Sequence, residues 1–364
     1  MEPTAVFLLA YGGPLSLDDV KPYLLDVRHG RPTPAELVEE VRERYRLIGG
    51  KSPLLEHTQA QARALEAWLH QHLGPHFKTF VGMRHWHPYI HEVLPDILNQ
   101  GFRRIVALPM APHYSRMSIG AYRQALEKAL EAQGYRPLTQ AEGWEQSAVS
   151  NRPLELRYEV KVWSQEAATG EDASVTNRRP PTADRRLPTA DGRPLTSVFI
   201  TRWSTYPGFI QAVAHKVEEA LSAWEGTKPV VIFTAHSLPQ KVVEQGDPYD
   251  KEVRESARRV AEHLGLDAWH VAYQSAGASA VPWLGPDVGD LVEDLARQGV
   301  REVLVVPIGF VCDHVEILYD IDIELQQRAR TLGVQVRRTE SLNDDPAFIT
   351  ALGEMVRTAA RALE

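Results

Sequence analysis

The chain has 364 residues, too many for one ordinary core and about right for two domains. Its 43% hydrophobic and 24% charged content is that of a globular protein, and a net charge of −8 argues against a general nucleic-acid binder, which would be basic. The single cysteine, Cys312, excludes a disulfide framework and any zinc or iron–sulfur site built on four cysteines.

The first element is the apolar run "TAVFLLAYGGP" (4–14), which reads as a buried parallel strand ending at Tyr11. No basic region precedes it, so a signal peptide is not expected. No uncharged apolar stretch approaches the ~18 residues of a membrane span, and a reducing cytoplasm is the expected location. The segment "RHGRPTPAELVEEVRERYRLIGGK" (28–51) interleaves arginines with glutamates, so several of its cations belong to a solvated helix face. Arg28, in a Gly-containing loop, and Arg44 and Tyr45, at a helix end before "IGGKSP", are better placed to bind carboxylates, together with Ser52. No GK[ST] phosphate loop and no GxGxxG fingerprint is present.

A second strand is expected in "GFRRIVALPMAPHYS" (101–115). Residues 141–200 change in texture. "LELRYEVKVW" (154–163) alternates like an amphipathic strand, "LTSVFITRW" resumes strand character, and the Pro-, Thr- and Asp-rich stretch between them suits a surface loop. The expectation is an inserted hairpin over about 146–198 that carries no chemistry. Further on, "PVVIFTAHSLP" (229–239) repeats the opening run, with His236 where Tyr11 stood. "GVREVLVVPIGFVCDH" (299–314) repeats the second strand, and "DPAFITALGEMVRTAARAL" (345–363) repeats the helix "YPGFIQAVAHKVEEAL" (206–221). The repeat implies an α/β protein of two similar doubly wound, Rossmann-like domains with parallel sheets and a cleft between them. The boundaries expected are 1–140, with the C-terminal helix of 341–364 packing back on it, and 141–340, including the insertion.

Ligands of such sheets sit beyond the carboxyl ends of the strands. His236 stands at one such end, where a histidine merely closing the strand would look the same. Beyond another lies "GFVCDHVEILYDIDIELQQR" (309–328), in which Glu316, Asp320 and Glu324 recur every four residues. On a helix they share a face, and like charges so spaced repel. Imidazole with carboxylate suits ferrous iron, zinc or cobalt, and the row could pass a hydrated cation inward.

At this point the residues resemble a known family, the ferrochelatases, and within it the coproporphyrin ferrochelatases of Gram-positive and related bacteria. The resemblance rests on "LLAYGGP", "RYRLIGGKSPL", "LPMAPHYSRMSIGAY", "TAHSLP", "YQSAGASAVPWLGPDV" and "PIGFVCDHVEILYDID", and spans nearly the whole chain outside the insertion. It implies a chelatase-like fold and a lyase that inserts ferrous iron into coproporphyrin III, with release of two protons, in haem synthesis. It implies His236 and Glu316 as the catalytic pair at the metal, with Asp320 and Glu324 as an outer acidic row. Tyr11, Arg28, Arg44, Tyr45, Ser52 and Tyr122 are implied as porphyrin contacts, with Arg84 and His85 in the same cleft. Iron is then a substrate, no cofactor is required, and no iron–sulfur cluster is expected. The implied partners are the porphyrin and iron, with a transient contact to the next haem-pathway enzyme, no nucleic acid, and a monomeric chain. The rival readings are a protoporphyrin IX ferrochelatase, a cobalt chelatase and a non-catalytic porphyrin carrier.

Overall fold

The structure is a computed structural model that describes residues 2–138, 156–165, 194–225, 228–277 and 281–363. Its strands are β1 (Thr4–Ala10), β2 (Phe77–Met83), β3 (Arg104–Pro109), β4 (Tyr135–Pro137), β5 (Arg157–Gln165), β6 (Leu195–Arg202), β7 (Val230–His236), β8 (Trp269–Gln274), β9 (Glu302–Val306) and β10 (Gln335–Arg338). The first helices are α1 (Val20–Val27), α2 (Ala35–Leu47), α3 (Leu54–Leu73), α4 (Ile90–Asn99), α5 (Ile119–Ala132) and α6 (Pro207–Ser222). They are followed by α7 (Gln240–Glu244), α8 (Tyr249–Leu264), α9 (Val288–Arg297), α10 (Val315–Leu318), α11 (Gln326–Thr331) and α12 (Pro346–Ala360). None of the described helices is long and apolar enough to cross a membrane.

Every residue of β1 is buried, as befits an unbroken apolar strand covered on both faces. It lies between β2 and β3, all parallel, with Leu8 beside Val81 on one side and Leu108 on the other. The first sheet runs β2-β1-β3-β6-β5-β4 and the second β10-β9-β7-β8. Read from the strand beside the first, the two sheets have one order: β2-β1-β3-β6 corresponds to β8-β7-β9-β10. The helices α6 and α12 follow matching strands. One core joins the units, from Val6 and Leu8 through Phe209 of α6 and Phe348 of α12 to Phe233 and Tyr273. The helix α12 lies against α3 and α6.

The expected division near residue 140 is corrected by the sheet pairing. The strand β6 is not one arm of an insertion in the second domain: it pairs parallel with β3 as the fourth strand of the first sheet. Its segment "LTSVFITR" is almost wholly buried, which a surface hairpin would not need. The polar stretch before it hid that membership. β5 does form the expected antiparallel pair with β6, and β4 pairs with β5 at the sheet edge. Most of the expected insertion, 166–193, lies outside the described residues. Because Trp163 stands opposite Leu195, β5 and β6 end side by side. Replacing residues 167–192 by a short turn is therefore expected to shift the thermal midpoint by no more than about 3 °C. Loss of the cooperative transition would show the segment to be part of the fold.

Candidate active site

The carboxyl ends of β1 and β3 face those of β7 and β9 across a cavity of about 420 Å³. Such a volume holds a drug-sized ligand. Its walls include Tyr11, Tyr45, Ser52, Arg84, His85 and Tyr122 from the first unit and His236, His314 and Glu316 from the second.

On the first wall the chain turns out of β1 through "YGGP". Gly12 has φ +96°, a left-handed conformation open to glycine, and a side chain on Gly13 would meet Ser52 Oγ at 2.5 Å. Gly13 thus lets Ser52 pack against the turn that leaves β1, where Ser52 N donates to Pro14 O at 2.8 Å. The peptides after β2 bond back, with Arg84 N donating to Ala10 O at 2.9 Å and His85 N to Tyr11 O at 2.9 Å. The ring of His85 lies 4.7 Å from that of Tyr11, and its Nδ1 is 2.8 Å from Asp26 Oδ2. Burial holds the His85 imidazole below its ordinary value against the pull of Asp26. Burial and Glu316 push the Tyr11 phenol up to about 12, so it is neutral at pH 7. Burial also raises Tyr45 and Tyr122.

On the second wall His236 is the last residue of β7, and its Nδ1 contacts Ser237 O. A carbonyl only accepts, so Nδ1 carries a proton, and in the neutral ring Nε2 holds the free lone pair. That Nε2 is 3.7 Å from Glu316 Oε1, while His314 Nε2 is 3.7 Å from Glu316 Oε2. The carboxylate thus sits between two imidazoles. Burial opposes its charge, but His236 and His314 hold it below the usual carboxylate range. Burial likewise opposes the charge of His314, which Glu316 nevertheless raises above its ordinary value. Residue His314 was part of the quoted motif, yet sequence gave it no role; only the fold brings it to the same carboxylate. Also missed was His113, buried on the cavity wall with Nε2 2.6 Å from Ser256 Oγ and held neutral by burial, its value near 3. Among the described residues no group of three His, Cys, Asp or Glu side chains is arranged to hold a metal ion. Cys312 is buried, and burial with Asp313 pushes its thiol up to about 12, so it is unreactive.

The acidic row does not follow one α-helix. The short α10 gives way to a π-helix over Asp320–Leu325, in which Glu324 N donates to Tyr319 O at 2.9 Å. Such wide turns are rare and concentrate at functional sites. The row runs from exposed Glu324 through buried Asp320 to Glu316 in the cavity wall. Of the sequence-predicted residues, Tyr11, Tyr45, Ser52, Tyr122, His236 and Glu316 are brought together on the cavity, as are Arg84 and His85. Arg28, Arg44, Asp320 and Glu324 do not line it. Arg28 closes α1 and donates to Pro32 O at 3.4 Å. Arg44 pairs with Glu40 at 2.8 Å, reaches Asp320 at 3.7 Å and lies 5.0 Å from the Tyr319 ring centre.

Burial, Glu316 and Glu324 push the Asp320 carboxyl up to about 6, against the bond from Ser275 and the charge of Arg44. A native value above the ordinary 3.8 means that ionising Asp320 costs stability as pH rises between the two, with the full cost present at neutral pH. Asp320→Asn is therefore expected to stabilise the protein at neutral pH by about 1–3 kcal/mol. It should also flatten stability against pH over that window. Urea unfolding checks this, and equal or lower stability would mean that Arg44 and Ser275 outweigh burial.

Two doubly wound units around one cleft, with an imidazole–carboxylate pair on its wall, are the build of a metal chelatase. SirB from Bacillus subtilis, in a structure with Fe3+, shares the fold at TM-score 0.54 and 10% identity, over 99% of this chain and 97% of that one. The ferrochelatase family model matches residues 3–147 and 182–360. A ferrochelatase of Herpetosiphon aurantiacus is 37% identical over 97% of this chain and 98% of its own. A coproporphyrin III ferrochelatase of Geobacillus thermodenitrificans is 33% identical over 96% of this chain and 94% of its own. The chain belongs to the ferrochelatase family and is an enzyme that inserts iron into a porphyrin.

Proposed function

We propose that the enzyme's substrate is coproporphyrin III, and that His236 and Glu316 carry the metalation. The observation behind this is the open pair itself. Its 3.7 Å separation is too long for a hydrogen bond, and the Nδ1 contact to Ser237 O leaves Nε2 facing the carboxylate. Two such donors are complementary to one small cation placed between them, as imidazole and carboxylate are around zinc at about 2.1 Å each. Ferrous iron, entering as substrate, completes the arrangement. Two pyrrole N–H protons must leave as it enters the ring. His236 Nε2, freed once iron has passed to the ring nitrogens, accepts them one at a time and yields each to Glu316 for release to water, and between transfers the Glu316 charge steadies the protonated imidazole. The acidic row leads the dication in from the surface.

The choice of porphyrin is supported by the relative named for coproporphyrin III and by polar groups around the cavity. Coproporphyrin III carries four propionates; protoporphyrin IX replaces two of them by vinyls. Arg84, Ser52, Tyr45 and Tyr122 offer donors to carboxylates, and these would be left unpaired against vinyls. Tyr11, on the wall formed by the first unit, is then the group that meets the iron of the product from the other face of the ring. The test is anaerobic steady-state insertion with each porphyrin. The kcat/KM for coproporphyrin III is expected to exceed that for protoporphyrin IX by at least about tenfold. Equal or better use of protoporphyrin IX would overturn the choice of substrate and leave the family assignment standing.

A further inference from the structure

The carboxylate of Glu316 hangs from a short α10 that changes at once into a π-helix, a poor platform for a group that must be placed to within a fraction of an ångström. What holds it is the end of β8. In the parallel pairing of β7 with β8, Gln274 stands directly beside His236. Gln274 is 1% exposed, and its Nε2 donates to the main-chain oxygen of Glu316. Its Oε1 has no partner among the described residues. A buried amide satisfied on one side only is a poor stability device, and an apolar side chain would pack there at less cost. The next residue, Ser275, has φ +60°, uncommon outside glycine, and its Oγ donates to Asp320 Oδ2. Two consecutive residues at one strand end thus hold two members of the acidic row, and the strand beside them ends in His236.

We propose that Gln274 and Ser275 are positioning residues that clamp α10 and the π-helix to the second sheet, setting the separation of Glu316 from His236 and the place of Asp320 behind it. The spacing of the pair is then fixed by the sheet, and the π-helix cannot slip towards an α-helical register that would rotate the carboxylates away. This rests on the metal-site reading of His236 and Glu316.

Gln274→Met keeps the length and removes the donor; Gln274→Glu keeps the shape and sets a carboxylate against the carbonyl. Iron turnover is expected to fall about 10- to 100-fold in the first and further in the second, with KM for iron raised. Porphyrin affinity, measured by absorbance titration, should stay within about twofold, since ground-state contacts to the ring are untouched. A merely structural residue would not spare one substrate and penalise the other. The decisive comparison is the double variant: Gln274→Met added to Glu316→Gln should cost little more, because both act through one carboxylate. Normal turnover in Gln274→Met beside a defective Glu316→Gln overturns the clamp alone, as does a double variant whose losses multiply. Full turnover in Glu316→Gln overturns the metal-site reading, and the clamp with it. If Gln274→Met does not fold, Ser275→Ala decides. It should raise KM for iron severalfold with porphyrin affinity unchanged, and an unaltered iron dependence overturns the inference.

Discussion

Replacing His236 by alanine is expected to lower iron insertion by at least about 10³-fold while leaving porphyrin affinity within about twofold. Both halves of that expectation follow from geometry. The imidazole ends an interior strand of the second sheet, its Nδ1 committed to Ser237 O and its Nε2 turned to Glu316. Alanine removes the lone pair that accepts a pyrrole proton and, with it, one of the two donors to the metal. His314 is no substitute: its Nδ1 is 2.9 Å from Cys312 O, and its Nε2 addresses the other oxygen of the same carboxylate. The walls that would hold the ring remain, because Tyr45, Ser52, Arg84 and Tyr122 stand on the first unit, independent of β7. Absorbance titration and anaerobic turnover separate the two quantities. Near-normal turnover would remove His236 from the chemistry; loss of porphyrin affinity would make it a wall of the cleft instead.

How much of this could be read beforehand differs from residue to residue. The strands β1 and β7 were legible as unbroken apolar runs, since a strand buried on both faces leaves no polar alternation. The matching positions of Tyr11 and His236 followed from the repeat, and both lie on the cavity. The strand β6 was misassigned because sequence shows that a run is apolar, not which neighbour it pairs with. The π-helix was illegible: spacing of four fits an α-helix, and only backbone bonding distinguishes the wider turn. Arg28 and Arg44 illustrate another limit. A long flexible side chain carries its charge far from its Cα, so its position in sequence does not fix where the guanidinium goes. Arg44 went to Glu40 and Asp320 rather than to the cavity. Gln274 and His314 gave no signal, since their roles come from contacts made only on folding. Gln274 reaches a carbonyl 42 positions away, and His314 is drawn to the site by its carboxylate neighbour.

The second large effect is expected at Glu316. Glu316→Gln keeps the shape and removes the charge, and iron turnover should fall by about 10²- to 10³-fold with porphyrin affinity preserved. The same substitution has a signature that does not depend on activity. His314 is raised above its ordinary 6.5 by Glu316, against burial. A raised histidine contributes stability that is fully present below its unfolded value and is lost as pH rises through the folded value. Without the carboxylate, only the Cys312 carbonyl and Asp320 oppose burial, so the His314 resonance should titrate below that of the parent. Glu316 itself is depressed, so its contribution is present above the ordinary 4.5 and is lost as pH falls through its folded value. Between those limits both contributions are present in the parent and absent in the variant. The stability deficit of Glu316→Gln should therefore be larger near pH 6 than at a pH above the folded His314 value, where the histidine's share has gone. Urea unfolding at the two pH values measures that difference, and histidine NMR measures the shift. A variant that is inactive but keeps the parent's His314 titration would show that the three side chains are not coupled as their 3.7 Å spacings imply. A variant that keeps full turnover would show that the charge beside His236 is not what steadies the incoming iron.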